Sequence, residues 1–393
     1  MTSSTTYNPI FRLLASLVMA LVWGVPSRAE SADSTASWLH RGIVGKVVRY
    51  FEEANKTEIT RRPSFSFIGG PHYSSDTGFG IGLVAAGLYS TEPTDTTLQP
   101  SNVSLFADLT TGGYFKIGVE GLHLYHKGDR RVDYELSFNS YTTYFWGVGY
   151  EAARMEANKT RYLLIDMMLS GDHLWRLGGS PMFAGPLMRF NYIAARHIDD
   201  NKERVWGDMP KAFVALGTGF KLQFDTRDNY TAPQSGWMGE LIQRVYPRFL
   251  GNSSHSFAST EFSLNHYRPL WRGSVLAARI HGMFTYGRTP WGMMPTVGGS
   301  SMLRGYYEGQ YRDKCESDVT VELRQHVWRR SGVAVWGALG AVYPNFSKFH
   351  RRDLLPNFGV GYRWEFKKLT NVRVDVGFGK GCWGVVLNIN EAF

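Results

Sequence analysis

From Pro63 to the end, the chain repeats with a period of two, the spacing at which successive side chains of a β-strand point to opposite faces. In DYELSFNSY, Tyr134, Leu136 and Phe138 alternate with Asp133, Glu135, Ser137 and Asn139. In NFGVGYRWEF, Phe358, Val360, Tyr362, Trp364 and Phe366 share one face, while Gly359, Gly361, Arg363 and Glu365 share the other. The stretches DVTVELRQHV and NVRVDVGFG repeat the pattern. A soluble sandwich also alternates, so periodicity alone leaves two architectures open. The polar faces carry full charges (Glu322 and Arg324, Arg363 and Glu365, Arg373 and Asp375) opposite wholly apolar or aromatic faces. Aromatic residues make up 15% of the chain, which suits the girdles of a transmembrane barrel.

Strands in hydrocarbon leave no room for an open sheet edge, so the expected fold is all-β, a closed transmembrane antiparallel β-barrel. About 330 residues follow Pro63. With spanning strands of about 9–11 residues plus turns and loops, the expectation is sixteen strands. The polar stretches TEPTDTTLQP and RHIDDNKERVWGDMP read as outer loops or turns. The chain closes on WGVVLNINEAF, with Trp383, Val385, Leu387, Ile389 and Phe393 in phase, which resembles the C-terminal assembly signal of outer-membrane barrels.

The first residues read differently. Asn8–Arg12 leads into LLASLVMALVWGV and then PSRAESA, the layout of a secretory signal peptide, expected over residues 1–29. Residues 30–62 are expected to be a periplasmic segment holding one amphipathic helix, Trp38–Asn55, with Ile43, Val44, Val47, Val48 and Phe51 at helical spacing. Residues 63–393 are then the barrel. After the first thirty residues no apolar run reaches the ~18 residues a spanning helix needs.

The chemistry of a soluble enzyme is not legible. There is no Gly-x-Ser-x-Gly elbow. The histidines His72, His123, His126, His266 and His350 lack metal spacing, and Cys315 and Cys382 read as unpaired thiols without Cys/His company. We expect no enzyme, no metal and no cofactor. Net charge is +9, but the basic residues are scattered, which argues against a nucleic-acid partner. A small cluster, Lys348, His350, Arg351 and Arg352, reads as a solvated turn, with lipopolysaccharide phosphate as the other reading.

GGSSMLRGYYEGQYRDK (298–314) stands between two of these strands. Its glycines Gly298, Gly299, Gly305 and Gly309 let the backbone fold tightly, and Arg304 presents a planar five-donor fork suited to a carboxylate. The inward carboxylates nearest in chain order are Glu322, Glu365 and Asp375. An exposed loop with a solvated arginine is the alternative.

Leu303-Arg304-Gly305-Tyr306 resembles the loop motif of the bacterial surface antigen superfamily, the BamA/TamA-type outer-membrane barrels. FDTRDNYTAPQSGW, with Asp225, Arg227, Asp228, Pro233 and Gly236, is similar to that family's Asp-x-Arg-Asp turn followed by Pro-x-x-Gly. PSFSFIGGPHYSSDTGFGIG resembles its first hairpin and GVGYRWEF with NVRVDVGFG its penultimate strands, so the resemblance runs from Pro63 to Phe393. One departure is that AVWGALG puts Gly337 beside Trp336, where relatives carry an acidic residue. That leaves Glu322 or Asp375 as the expected partner of Arg304. Another is that residues 30–62 leave no space for a POTRA domain, and no patatin-like domain is present.

The resemblance implies the outer membrane of a Gram-negative bacterium, contact with its lipid and lipopolysaccharide, and assembly by the barrel assembly machinery. It also implies a weak seam between the first strand (Ser64–Ile68) and the last (Val385–Phe393), and assistance in inserting or translocating proteins. The partners implied are periplasmic subunits or unfolded outer-membrane proteins. The other function it leaves open is a non-catalytic channel, lipid-handling or structural subunit that kept the fold alone.

Overall fold

The computed structural model describes residues 61–74, 78–92, 100–199, 205–230, 232–250, 256–367 and 370–393. The expected signal peptide and the helix Trp38–Asn55 lie outside these described residues. Eight strands fill the first half: β1 (Ser64–Ser74), β2 (Gly78–Tyr89), β3 (Ser101–Thr110), β4 (Phe115–Leu124), β5 (Arg130–Phe145), β6 (Thr160–Arg176), β7 (Met182–Arg196) and β8 (Ala212–Asp225). Eight more follow: β9 (Gly236–Tyr246), β10 (Phe257–Pro269), β11 (Ser274–Gly287), β12 (Cys315–Trp328), β13 (Ser331–Tyr343), β14 (Leu355–Lys367), β15 (Thr370–Gly379) and β16 (Cys382–Ile389). A five-residue helix, α1 (Tyr150–Arg154), sits between β5 and β6.

Each strand pairs with its sequence neighbours, and β1 returns to β16 through Ser74 and Val386, closing the barrel. A sandwich is excluded by this closure. Consecutive antiparallel strands place alternate connections at opposite ends. The turn between β8 and β9 therefore shares an end with the start of β1 and the close of β16, whereas the β11–β12 connection lies at the other end. Of the two polar stretches, residues 91–100 join β2 to β3 at the first end and residues 196–210 join β7 to β8 at the second. Lys380 and Gly381 alone join β15 to β16, and Gly381 at φ 74° supplies the left-handed residue such a two-residue hairpin requires.

The side chains are arranged inside out relative to a water-soluble protein. Val319, Val321, Val333, Val335, Phe358, Val360 and Trp383 are exposed, whereas Glu316, Asp318, Glu322, Arg324, Arg363, Arg373 and Asp375 are buried. Apolar residues outside and charged residues inside are stable only where hydrocarbon is the outer solvent. The wall is thus a membrane-spanning one, with the charged face turned to the lumen.

At the end opposite the start of β1 a buried aromatic cluster packs between the strand ends and their connections. Trp291, at the start of the β11–β12 connection, lies 5.6 Å from Phe145, 5.7 Å from Tyr162 and 5.3 Å from Trp206 by ring centroids. Its indole Nε1 donates to Pro210 O at 2.9 Å. Replacing Trp291 with Ala removes a fully buried ring and leaves a cavity at the root of the connection. We expect a loss of about 3–5 kcal/mol in urea unfolding from lipid vesicles.

Candidate functional site

The β11–β12 connection does not stay at the barrel end. After Thr296 it enters the lumen, where Gly298 (φ 106°) and Gly299 (φ 93°) reverse the chain in a backbone region closed to other residues. At its tip the strand wall is stripped of side chains. A Cβ on Gly377 would lie 1.8 Å from Arg304 O, and one on Gly305 would lie 2.4 Å from Gly377 O. Loop and wall therefore meet backbone to backbone. The Leu303 side chain packs on Gly340, and the Tyr306 ring packs on Gly379. The Tyr306 hydroxyl donates to Pro356 O at 2.8 Å and accepts from Lys380 N at 2.7 Å.

This approach delivers the Arg304 guanidinium, 1% exposed, between two strands. Nη1 donates to Asp375 Oδ2 at 2.7 Å, and Nη2 donates to Glu322 Oε2. The planar group lies 3.5 Å from the ring centre of Trp336, where the π-face attracts a cation. Trp336 is itself fixed: its Nε1 donates to Asn357 Oδ1 at 2.9 Å, and Asn357 Nδ2 donates to Arg304 O at 2.7 Å. One asparagine thus holds both the platform and the loop backbone.

Each carboxylate is shared. Asp375 also receives Arg363 and Arg373, and Glu322 Oε1 receives Arg324 Nε at 2.7 Å. Glu391 accepts from Arg363 Nε at 2.9 Å and from Asn371 Nδ2 at 2.7 Å. Arg324 Nη2 donates to Phe393 O at 2.9 Å. Four guanidiniums are thereby interleaved with the side-chain carboxylates of Glu322, Asp375 and Glu391.

Helix α1 covers the loop. Tyr150 stacks on Tyr311 at 5.7 Å, Gln310 Nε2 donates to Ala153 O at 3.1 Å, and Lys380 Nζ donates to the Tyr150 hydroxyl at 3.0 Å.

Of the three inward carboxylates expected near the loop, the structure brings Glu322 and Asp375 to Arg304. Glu365 lies one inward position beyond Arg363 along β14, in register with Asn371. Gly337 faces outward, with open space around a built Cβ, so an acidic side chain there points away from Arg304. Trp336, its neighbour, is the residue of that pair facing the loop.

The turn motif between β8 and β9 is ordered by its own side chains. Arg227 makes a two-pronged contact with Asp225, Nε to Oδ1 at 3.0 Å and Nη2 to Oδ2 at 2.8 Å. Asp228 Oδ1 accepts from Gln234 N and Ser235 N, Pro233 is buried, and Gly236 takes φ 105°.

The expected in-phase row at the C-terminus breaks. Trp383 is 65% exposed on the outer face, and Val385 and Leu387 share its side by alternation in β16. Ile389 ends the strand in register with Val372. Asn390 then takes φ 67°, which turns the chain inward. Phe393 consequently leaves the outer row and lies under the Arg324 guanidinium, 5.3 Å away, near Tyr267.

Comparison with known proteins agrees with this geometry. The Omp85 superfamily domain model matches residues 91–339, well over half of the chain. The chain belongs to the Omp85 superfamily. Among solved structures, this Omp85 barrel is similar to BamA from Haemophilus ducreyi lacking POTRA domains 1–3, with a TM-score of 0.52, 12% identity, and coverage of 91% of this chain and 82% of that one. CdiB from Escherichia coli matches with a TM-score of 0.53 and 14% identity over 92% and 75% of the two chains. CdiB from Acinetobacter baumannii matches with a TM-score of 0.52 and 11% identity over 82% and 58%. At these identities the likeness is one of fold. No curated protein is significantly similar in sequence.

Two substitutions separate charge from fit. Arg304→Ala leaves Glu322 and Asp375 buried without their shared partner, an expected loss of about 3–5 kcal/mol. Gly377→Ala keeps every charge but drives a methyl into Arg304 O, so protease sensitivity of the loop in the folded barrel should rise in both variants.

Proposed function

We propose that this Omp85 barrel assists the insertion or translocation of proteins at the Gram-negative outer membrane, working with separate periplasmic partners. The observation that supports this reading most is the unequal pairing of the wall. Along β1 every residue from Ser64 to Ser74 is in register with β2, and β15 pairs with β16 from Val372 to Gly379. Between β1 and β16 the register recorded among the described residues is Ser74 with Val386. β16 is also short, at 8 residues against 17 for β6.

A strand edge with few partners offers unpaired N–H and C=O groups, the chemistry that templates an incoming strand. In hydrocarbon such groups cost several kcal/mol each when unpaired, so the seam is where the wall opens with the least loss. The buried arginine loop then acts as the brace that keeps the remaining wall in shape while the seam yields.

The test uses the seam directly. In a background lacking Cys315 and Cys382, cysteines at positions 74 and 386 are register partners and can be oxidised across the closure. Liposomes holding the reduced protein should accelerate the folding of an unfolded outer-membrane barrel relative to empty liposomes. Oxidation should abolish the acceleration, and reductant should restore it. No acceleration by the reduced protein would instead favour a channel or structural subunit.

A further inference from the structure

Where the arginine loop rejoins the wall, a second buried cluster stands apart from the Arg304 network. His281 on β11 is the register partner of Asp318 on β12, and Glu316 lies two residues before Asp318, on the same inward face. The side chains of Glu316 and Asp318 are 1% and 0% exposed. His281 Nδ1 is 3.0 Å from Glu316 Oε2 and 3.2 Å from Asp318 Oδ2, ion-pair distances for a protonated ring, although its ring plane is poorly aligned for a hydrogen bond to either. One candidate ligand atom from each residue lies within 4.8 Å of the others.

Both oxygens of Glu316 and both of Asp318 are buried without a hydrogen-bond partner among the described residues. A buried carboxylate in that condition is costly unless a cation satisfies it. The nearby guanidiniums answer this charge only in part. Arg244 donates to Glu261 at 2.8 Å, and Arg279 forms an ion pair with Asp318 Oδ2 at 3.6 Å, while Glu316 has no guanidinium partner among the ion pairs of the described residues. On its far side, His281 Nε2 faces Glu261 Oε1 at 3.7 Å. A cation held between Glu316 and Asp318 would take the Nδ1 lone pair and leave the ring proton on Nε2, facing Glu261.

We propose that His281, Glu316 and Asp318 bind a divalent first-row transition cation at the root of the arginine loop, with Glu261 orienting the histidine. One imidazole and two carboxylates suit Zn²⁺ or Mn²⁺ better than Ca²⁺ or Mg²⁺, which prefer oxygen alone. Glu261, with 29% of its side chain exposed, marks the lumen side as the route of entry. The cation would fasten β12 to β11 at the point where the loop leaves the wall.

The test titrates untagged, chelator-treated full-length barrel in detergent with Zn²⁺ by calorimetry, with metal content by mass spectrometry and Co²⁺ absorption as a readout of ligand geometry. One Zn²⁺ per chain and a raised unfolding temperature are expected. Glu316→Gln and Asp318→Asn should each weaken binding by about 100-fold and Glu261→Gln by about 10-fold. Folding of each variant is checked by heat-modifiable migration. Failure of the wild-type barrel to bind Zn²⁺ or to give a Co²⁺ spectrum overturns the proposal, leaving a proton on His281 as what reconciles the carboxylates. Wild-type affinity in the folded Glu316→Gln, Asp318→Asn double variant overturns it equally.

Discussion

A guanidinium withdrawn from water is costly unless its donors meet acceptors and its charge is matched. Arg304 meets this condition through Glu322, Asp375 and the face of Trp336, and the structure around it is arranged to allow the meeting. The reversal at Gly298 and Gly299 brings the loop down, the bare wall at Gly377 lets it land, and Asn357 fixes both the indole and the loop carbonyl. Arg324, Arg363 and Arg373 then divide the remaining carboxylate oxygens among them. An ionic lattice of this kind is not the most stable way to fill a lumen, since apolar packing of the same volume often does as well or better. Its advantage is directional: a charge network fits in one register, whereas a greasy plug tolerates many.

The inverted surface follows from the same solvent logic. Outward valines and aromatics on β12 to β16 cost nothing in hydrocarbon, so the whole polar content of these strands is free to face inward. The inward glycines are the complement of that content. Gly340, Gly377 and Gly379 are the positions on which Leu303, the Arg304 backbone and Tyr306 rest, and each removes a side chain where the loop needs the wall's own backbone.

Much of this was legible in the sequence, and the reasons are local. Period-two alternation with charges on one face and aromatics on the other fixes strands, faces and closure, because hydrocarbon leaves no alternative to a closed sheet. Parity along β12, β14 and β15 likewise places Glu322 and Asp375 inside, and Arg324, Arg363 and Arg373 with them. Parity says nothing of depth, however, so it does not separate Glu365 from the two carboxylates that receive Arg304. Nor does it show Trp336 as a platform or Asn357 as the bracket behind it. Those roles depend on how far the loop descends. The path after Ile389 departs from the expected row for a similar reason: a single left-handed residue, Asn390, ends the alternation and carries Phe393 off the outer row. The His281 cluster draws one residue from β11 and two from β12, and register rather than sequence spacing assembles it.

Glu391 ties the close of the last strand to the same ionic lattice that grips the loop. Arg363 holds Asp375 with one nitrogen and Glu391 with another, and Arg324 spans Glu322 and Phe393. The two ends of the lattice are therefore thermodynamically linked. Displacing β16 removes an acceptor from Arg363 and alters the field at Asp375, which changes the hold on Arg304. By reciprocity, withdrawing Arg304 changes the hold on β16 by the same factor. In an Omp85 barrel of this design, the loop in the lumen and the last strand of the wall hold each other through one set of charges.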